Sequence, residues 1–327
     1  MRAILLTAPS GADTMTFAEV PEPAPGEGEL LVSVAYAGCN FADTMMRIGT
    51  YPHPKGYPIV AGLEIAGHVA SVGPGVSGWR TGDRVAAFSE EAGGFADRCV
   101  VPAERAIRLP DGIGLDTAAG FVIQGLTAWN MLHNVSRTSP GDVILMHAIG
   151  GGLGLFATQL AVRAGAVMLG TVGTPGKEGR PIEYGATRVF DRTRDDFVAA
   201  TLAFTAGRGV DKVLDSVGAT VLDRSFEAIR TLGHVVSVGE AEGRPMPNLW
   251  ERLVRKSLTF TRFHLGHCDF GSETWRRGVD EVVGGVLDGW LKVPIHQVFA
   301  FDDAAAMYQR LESRQVSGKL LLAIRPG

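Results

Sequence analysis

The short apolar run Val143-Ile144-Leu145-Met146-His147 leads into Ala148-Ile149-Gly150-Gly151-Gly152-Leu153-Gly154. An apolar-rich stretch, Leu155 to Ala164, follows and is stopped by Gly165. Strand, glycine turn and helix in that order make a dinucleotide site. Glycines let a pyrophosphate approach the backbone, and a helix N-terminus offers it free N–H groups and the positive end of a dipole. The strict Gly-x-Gly-x-x-Gly spacing is not met, because Ile149 stands where its first glycine belongs. The looser Ala148-x-x-Gly151-x-x-Gly154 is met. The same glycines also allow tight helix–sheet packing, so the turn has a purely structural reading beside the phosphate one.

An acidic residue about 20 positions beyond such a turn ordinarily receives the ribose hydroxyls of NAD. Here the next strand ends at Val172-Gly173-Thr174 with no carboxylate, and Lys177 and Arg180 follow. A missing anion with cations close by favours a 2′-phosphate, and so NADPH as cofactor; a solvated basic loop is the alternative. His264, His267 and Cys268 are spaced so that two histidines would share a metal, but they lack a second half. Cys39, Cys99 and Cys268 are too scattered for a disulfide framework or a cysteine zinc cluster. No Gly-x-Ser-x-Gly elbow appears, which removes a serine hydrolase.

These residues need elements to hold them. The first third reads as β-rich: Arg2 to Leu6, Leu30 to Ala37, Ile65 to Val72, Phe95 to Val101 and Arg105 to Leu109, with Pro/Gly-rich turns between. Many short strands of this kind argue a small barrel. Asp116 is expected to cap a helix carrying Ala118 to Leu132. Beyond it strands alternate with helices. The strands are Val143 to Ala148, Val167 to Val172, Arg188 to Phe190, Val213 to Asp215, His234 to Val238 and Leu258 to Phe263. The helices include one starting near Pro181, Asp195 to Phe204, and Val221 to Leu232. Such alternation implies a parallel sheet wrapped by helices. A tail from about Leu265 suits a return to the first domain. The chain has 327 residues, room for two cores, and a net charge of −4, which disfavours non-specific nucleic-acid or membrane partners. No apolar run approaches the roughly 18 residues of a spanning helix. The opening Met1 to Pro9 is too short in apolar residues for a secretory signal, so a cytoplasmic protein is expected.

An ordered set of motifs resembles the medium-chain dehydrogenase/reductase superfamily, in its zinc-free quinone oxidoreductase (zeta-crystallin-like) branch. The set comprises Gly38-Cys39-Asn40-Phe41-Ala42-Asp43, Gly62-Leu63-Glu64-Ile65-Ala66-Gly67, Gly82-Asp83-Arg84-Val85 and Gln124-Gly125-Leu126-Thr127-Ala128. It continues with Pro140-Gly141-Asp142, the glycine turn, Asp215-Ser216-Val217-Gly218, and Gly318-Lys319. The resemblance implies an α/β chain: a Rossmann doubly wound parallel sheet over 124–264, plus a GroES-like β-barrel catalytic domain over 1–123 and 265–327. It also implies a homodimer joined through the last Rossmann strand. Positions matching the zinc ligands of metal-dependent relatives are Asn40, Leu63 and Ile123, an amide and two hydrocarbons, so no metal is expected. Without a Lewis acid, hydride is expected to pass from NADPH to a quinone or other conjugated carbonyl (an enone). Candidate donors to the acceptor oxygen are Asn40, Tyr51 and Thr127, with Arg262 more distant. Implied cofactor residues are Gly150, Gly151, Gly152, Leu153 and Gly154 at the pyrophosphate, and Thr174 and Lys177 at the adenosine phosphate; Arg192 stands where relatives often carry a tyrosine near the adenine, to stack there or to meet the 2′-phosphate. Ser216, Val238 and Gly239 fall beneath the nicotinamide half, and Lys319 frames the cofactor. An enoyl-thioester reductase on the same scaffold and a non-catalytic NADPH-binding protein are the alternatives.

Overall fold

The computed structural model describes residues 1–12, 15–51, 56–242 and 248–325. The chain divides into two compact units, Met1–Ile123 with Asp269–Gly327, and Gln124–Cys268.

In the second unit six strands form one parallel sheet. Across the sheet they run Arg188–Asp191, Val167–Val172, Val143–His147, Val210–Asp215, Ile229–Ser237 and Thr259–Arg262. The first strand in the chain is thus third in space. Later strands add on either side of it, which makes the gap between Val143–His147 and Val210–Asp215 the switch point where such sheets bind ligands. The registers align the strand ends. His147 faces Thr171, Leu214 faces Met146, Asp215 faces Ser237, and Ser237 faces Arg262. Every carboxyl end therefore opens on the same edge. The core behind that edge packs Leu145, Leu169, Val213 and Val235 from the sheet against Phe197, Leu222 and Phe226 from helices. Each of those phenylalanines contributes about 1.5–3 kcal/mol by leaving water.

In the first unit a seven-stranded sheet is built around the long strand Glu29–Cys39, which pairs antiparallel with Glu64–Val72, Arg98–Pro102 and Lys319–Ala323. A three-stranded sheet of Thr16–Glu19, Arg2–Leu6 and Ile59–Val60 completes its strands among the described residues.

Three local expectations change. The helix placed over Ala118 to Leu132 is broken: Leu115–Ala118 ends before Gly120, and Val122–Trp129 runs on into a π-helical Asn130–Val135. Its cap is Gly114, with Asp116 two residues further in, inside the first turn. The helix Ala219–Ala228 stops four residues earlier than its apolar pattern, because β-branched Ile229 and Thr231 already belong to the strand Ile229–Ser237. No helix among the described residues is long and apolar enough to cross a membrane.

Candidate functional site

At the glycine turn each glycine answers to a specific neighbour. A Cβ on Gly150 would lie 2.7 Å from the Lys177 carbonyl oxygen, and one on Gly154 2.5 Å from the Ile149 backbone. One on Gly152 would lie 2.0 Å from Gln124 Oε1. The puzzle of Ile149 resolves here: its side chain fills the space over Gly170, where a Cβ would come within 2.3 Å of Ile149 Cδ1. Ile149 is fully buried and its N–H bonds the Thr171 carbonyl at 3.1 Å. The isoleucine therefore packs the sheet, and Ala148 takes the left-handed turn at φ 53°, a strain of about 1 kcal/mol for a residue with a Cβ. The helix Gly152–Arg163 starts from Gly151 with no side-chain cap. Its first N–H groups are left for an anion. Gly150, Gly152 and Gly154 are thus closed to a side chain by the chain's own packing, and the uncapped helix start that follows Gly151 fits a dinucleotide pyrophosphate.

Lys177 and Arg192 come to the ends of the first two Rossmann strands. Lys177 packs its main chain against Gly150, and a Cβ on Gly173 would meet the Arg192 guanidinium at 2.5 Å. Thr174 follows Gly173 directly and is half-buried, as is Lys177. Burial lowers the Lys177 ammonium from its ordinary pKa, so a phosphate beside it would offset a desolvation already present.

On the far side of the switch point Asp215 accepts the N–H groups of Val217 at 3.1 Å and Gly218 at 2.9 Å. Burial raises its carboxyl to about 6. Gly218 holds φ 90°, which an L side chain would resist. The Val238 N–H donates to the Asp215 carbonyl at 2.8 Å. A Cβ on Gly239 would lie 2.8 Å from the Ser216 carbonyl oxygen. Ser216, Val238 and Gly239 are therefore side by side. Arg262, in register with Ser237, pairs with Glu240 at 3.4 Å. Thr127, also in this unit, is half-buried on the helix Val122–Trp129.

In the first unit Tyr51 is half-buried just after the helix Phe41–Arg47, its N–H on the Met45 carbonyl at 3.1 Å. Asn40 and Lys319 meet in one buried cluster. The Asn40 amide donates to Glu64 Oε2 at 2.9 Å and to the Gly38 carbonyl at 3.4 Å, while its oxygen accepts Lys319 Nζ at 2.6 Å. Both amide hydrogens are engaged within the chain, so Asn40 orients its neighbours. Lys319 is 0% exposed. Asn40, Leu63 and Ile123 offer an engaged amide, a buried hydrocarbon and a backbone N–H that bonds Glu64 at 3.0 Å, a set unfit for zinc. Among the described residues no group of three or more His, Cys, Asp or Glu side chains is placed to hold a metal. His264 and His267 lie with rings 5.2 Å apart, and His264 Nδ1 accepts the Gly266 N–H.

Sequence reasoning passed over Gln124 as a site residue, although its carboxamide covers Gly152 and its Oε1 is buried without a hydrogen bond. It also passed over Glu64. A glutamate inside Leu63-Glu64-Ile65-Ala66, a strand buried on both faces, was the available signal for a buried ion pair.

Comparison with known proteins agrees with this geometry. Residues 26–111 match the alcohol dehydrogenase GroES-like domain, and residues 152–284 match the zinc-binding dehydrogenase family. A 2-haloacrylate reductase of a Burkholderia species is 33% identical over 319 residues, covering 95% of this chain and 96% of the relative. A quinone oxidoreductase of Pseudomonas aeruginosa is 33% identical over 323 residues, covering 98% and 99%. The crystal structure of Escherichia coli quinone oxidoreductase complexed with NADPH superposes with a TM-score of 0.94 at 32% identity, over 99% of this chain and 100% of that one.

Proposed function

The chain belongs to the medium-chain dehydrogenase/reductase superfamily, in its quinone oxidoreductase branch, and from that premise we propose that it is an NADPH-dependent reductase of quinones or other conjugated carbonyls that works without a metal. The observation that carries this reading is the pairing of an intact dinucleotide turn with a donor set, Asn40, Leu63 and Ile123, that is chemically unfit for zinc. One relative is named for reducing 2-haloacrylate, itself a conjugated acid, and another solved relative was complexed with NADPH.

Bound NADPH would supply hydride at its nicotinamide. The chain's own residues bind and orient it: the uncapped N-terminus of Gly152–Arg163 takes the pyrophosphate, and Thr174, Lys177 and Arg192 take the 2′-phosphate. Asp215 holds Val217 and Gly218, and Ser216, Val238 and Gly239 beside it are assigned to the nicotinamide half. Hydroxyls of Thr127 and Tyr51 are the neutral donors assigned to the acceptor oxygen, and solvent supplies the last proton. Alcohol oxidation would need a group that lowers the hydroxyl pKa, and this donor set has none.

The test is NADPH consumption with 1,4-benzoquinone, 9,10-phenanthrenequinone and a small enone. Turnover on at least one is expected. Tight NADPH binding with no turnover on any of them would favour a non-catalytic protein, and turnover only on an enoyl thioester would favour that reductase class. A homodimer is proposed along Thr259–Arg262, the edge strand of the parallel sheet, near exposed Leu232, Trp250 and Val254. Analytical ultracentrifugation should give twice the chain mass, and a monomer at micromolar concentration would rule this out.

A further inference from the structure

A polar knot in the first unit is unused by the proposed hydride transfer. Lys319 and Glu64 are both 0% exposed and Asn40 is 5% exposed. The Lys319 ammonium donates to Asn40 Oδ1 at 2.6 Å and to Glu64 Oε2 at 2.5 Å. Asn40 Nδ2 donates to that same carboxylate oxygen. The other oxygen of Glu64 accepts the N–H of Ile123 at 3.0 Å, at the start of the helix Val122–Trp129. Strand register brings these groups together, since Gly38 faces Glu64 and Leu321. Gly38 also makes the room. A Cβ there would lie 2.2 Å from the Ala119 carbonyl oxygen, 2.8 Å from Lys319 Cε and 2.9 Å from Glu64 Oε2.

A buried ion pair is a poor way to gain stability, because desolvation roughly cancels the attraction and apolar side chains of equal volume do as well or better. What this one does is orient. One positive charge fixes an amide, a carboxylate and, through that carboxylate, a helix start, all from separate elements. We propose that Lys319 is the resident cation of this unit, a positioning residue that organises Asn40, Glu64 and Ile123 as a bound metal organises its ligands, in a chain whose side chains there are unfit for zinc. The kinetic consequence rests on the reductase reading above. Thr127 lies one helical turn beyond Ile123, so loosening the anchored turn displaces a hydroxyl assigned to the acceptor.

The experiment uses full-length Lys319→Ala, its thermal midpoint measured with sodium chloride, n-propylammonium chloride or 1-propanol at equal concentration. A fall of about 10 °C is expected, since one partner of a buried pair is removed. Propylammonium should recover part of it and 1-propanol should not. No fall, or equal recovery by the two additives, overturns the proposal. Should that variant not fold, Glu64→Gln combined with Lys319→Met leaves no lone buried charge. It is expected to fold with kcat lowered about tenfold or more and NADPH Kd within about twofold of wild type. Wild-type kcat in the double variant overturns the proposal. Wild-type protein that turns over no quinone or enone defeats the reductase reading instead, and the midpoint recovery still decides the role of Lys319.

Discussion

Lys177→Ala is expected to raise the NADPH Kd about 10- to 100-fold and to leave the NADH Kd within about twofold. The size follows from losing one charge-assisted contact to a phosphate, about 1.5–3 kcal/mol. The selectivity follows from position. Lys177 sits in the loop after the second Rossmann strand, the place proposed for the 2′-phosphate that distinguishes the two cofactors, while the pyrophosphate they share is assigned to the turn between Gly150 and Gly154. Arg192, over Gly173, retains part of the affinity, so the effect should grow in Lys177→Ala with Arg192→Ala. Fluorescence titration with each cofactor measures both constants. Equal weakening for NADPH and NADH would mean that Lys177 serves the turn, whose Gly150 it touches through its main chain, and not the 2′-phosphate.

The second large effect is the acid-dependent cost of keeping His147 neutral in the Rossmann core. His147 is 0% exposed. Its Nδ1 pairs with Thr171 Oγ1 at 2.8 Å, its Nε2 with Ser225 Oγ at 2.7 Å, and its ring stands edge-on to Phe197 at 5.1 Å. Burial first, then the Arg192 charge, lowers its pKa to about 3 from an ordinary 6.5. The unfolded chain therefore takes up a proton near pH 6.5 that the folded chain refuses until about 3. In that window the histidine's own contribution to stability falls by about 1.4 kcal/mol for each pH unit of acidification. Asp43 and Asp215 act oppositely, because burial raises them to about 7 and about 6. The folded state holds their protons more tightly, so they favour folding as pH falls. Comparison with His147→Gln isolates the histidine. The variant should be less stable at pH 7.5, since two buried hydrogen bonds are disturbed, and the gap to wild type should shrink by about 2 kcal/mol at pH 5. Guanidinium midpoints at the two pH values read this directly. A gap that stays constant would mean that His147 takes up its proton without cost.

Much of the second unit was legible because its strands announce themselves. Val143 to His147 and Val167 to Val172 are apolar runs followed by glycine, and parallel strands buried on both faces have no other pattern. The turn was legible from its glycines, but not the reason for Ile149. That residue answers to Gly170, which lies 21 positions away in the chain and directly beneath it in the sheet. The end of the helix Ala219–Ala228 was missed because Ile229 and Leu232 continue its apolar spacing, and the competing β-branched signal is only two residues strong. Asn40 and Lys319 were given roles by motif position alone. A motif fixes where a residue falls in the chain, and side-chain direction is set by pairing. The register of Lys319–Ala323 against Glu29–Cys39 turns Lys319 inward, toward a carboxylate 255 residues away in sequence. The unbroken run Leu320-Leu321-Leu322, which reads as a strand buried on both faces, was a sequence-level hint that the lysine at its head is buried too.

The proposed reduction of electron-poor acceptors by NADPH in this chain needs no metal. It is tested most directly by dialysing the protein against a strong chelator, confirming by elemental analysis that zinc is absent, and measuring NADPH oxidation with 1,4-benzoquinone. The expected result is an unchanged rate before and after dialysis, with no stimulation by added zinc and no NAD-linked oxidation of ethanol. Loss of turnover on chelation that zinc restores would contradict it.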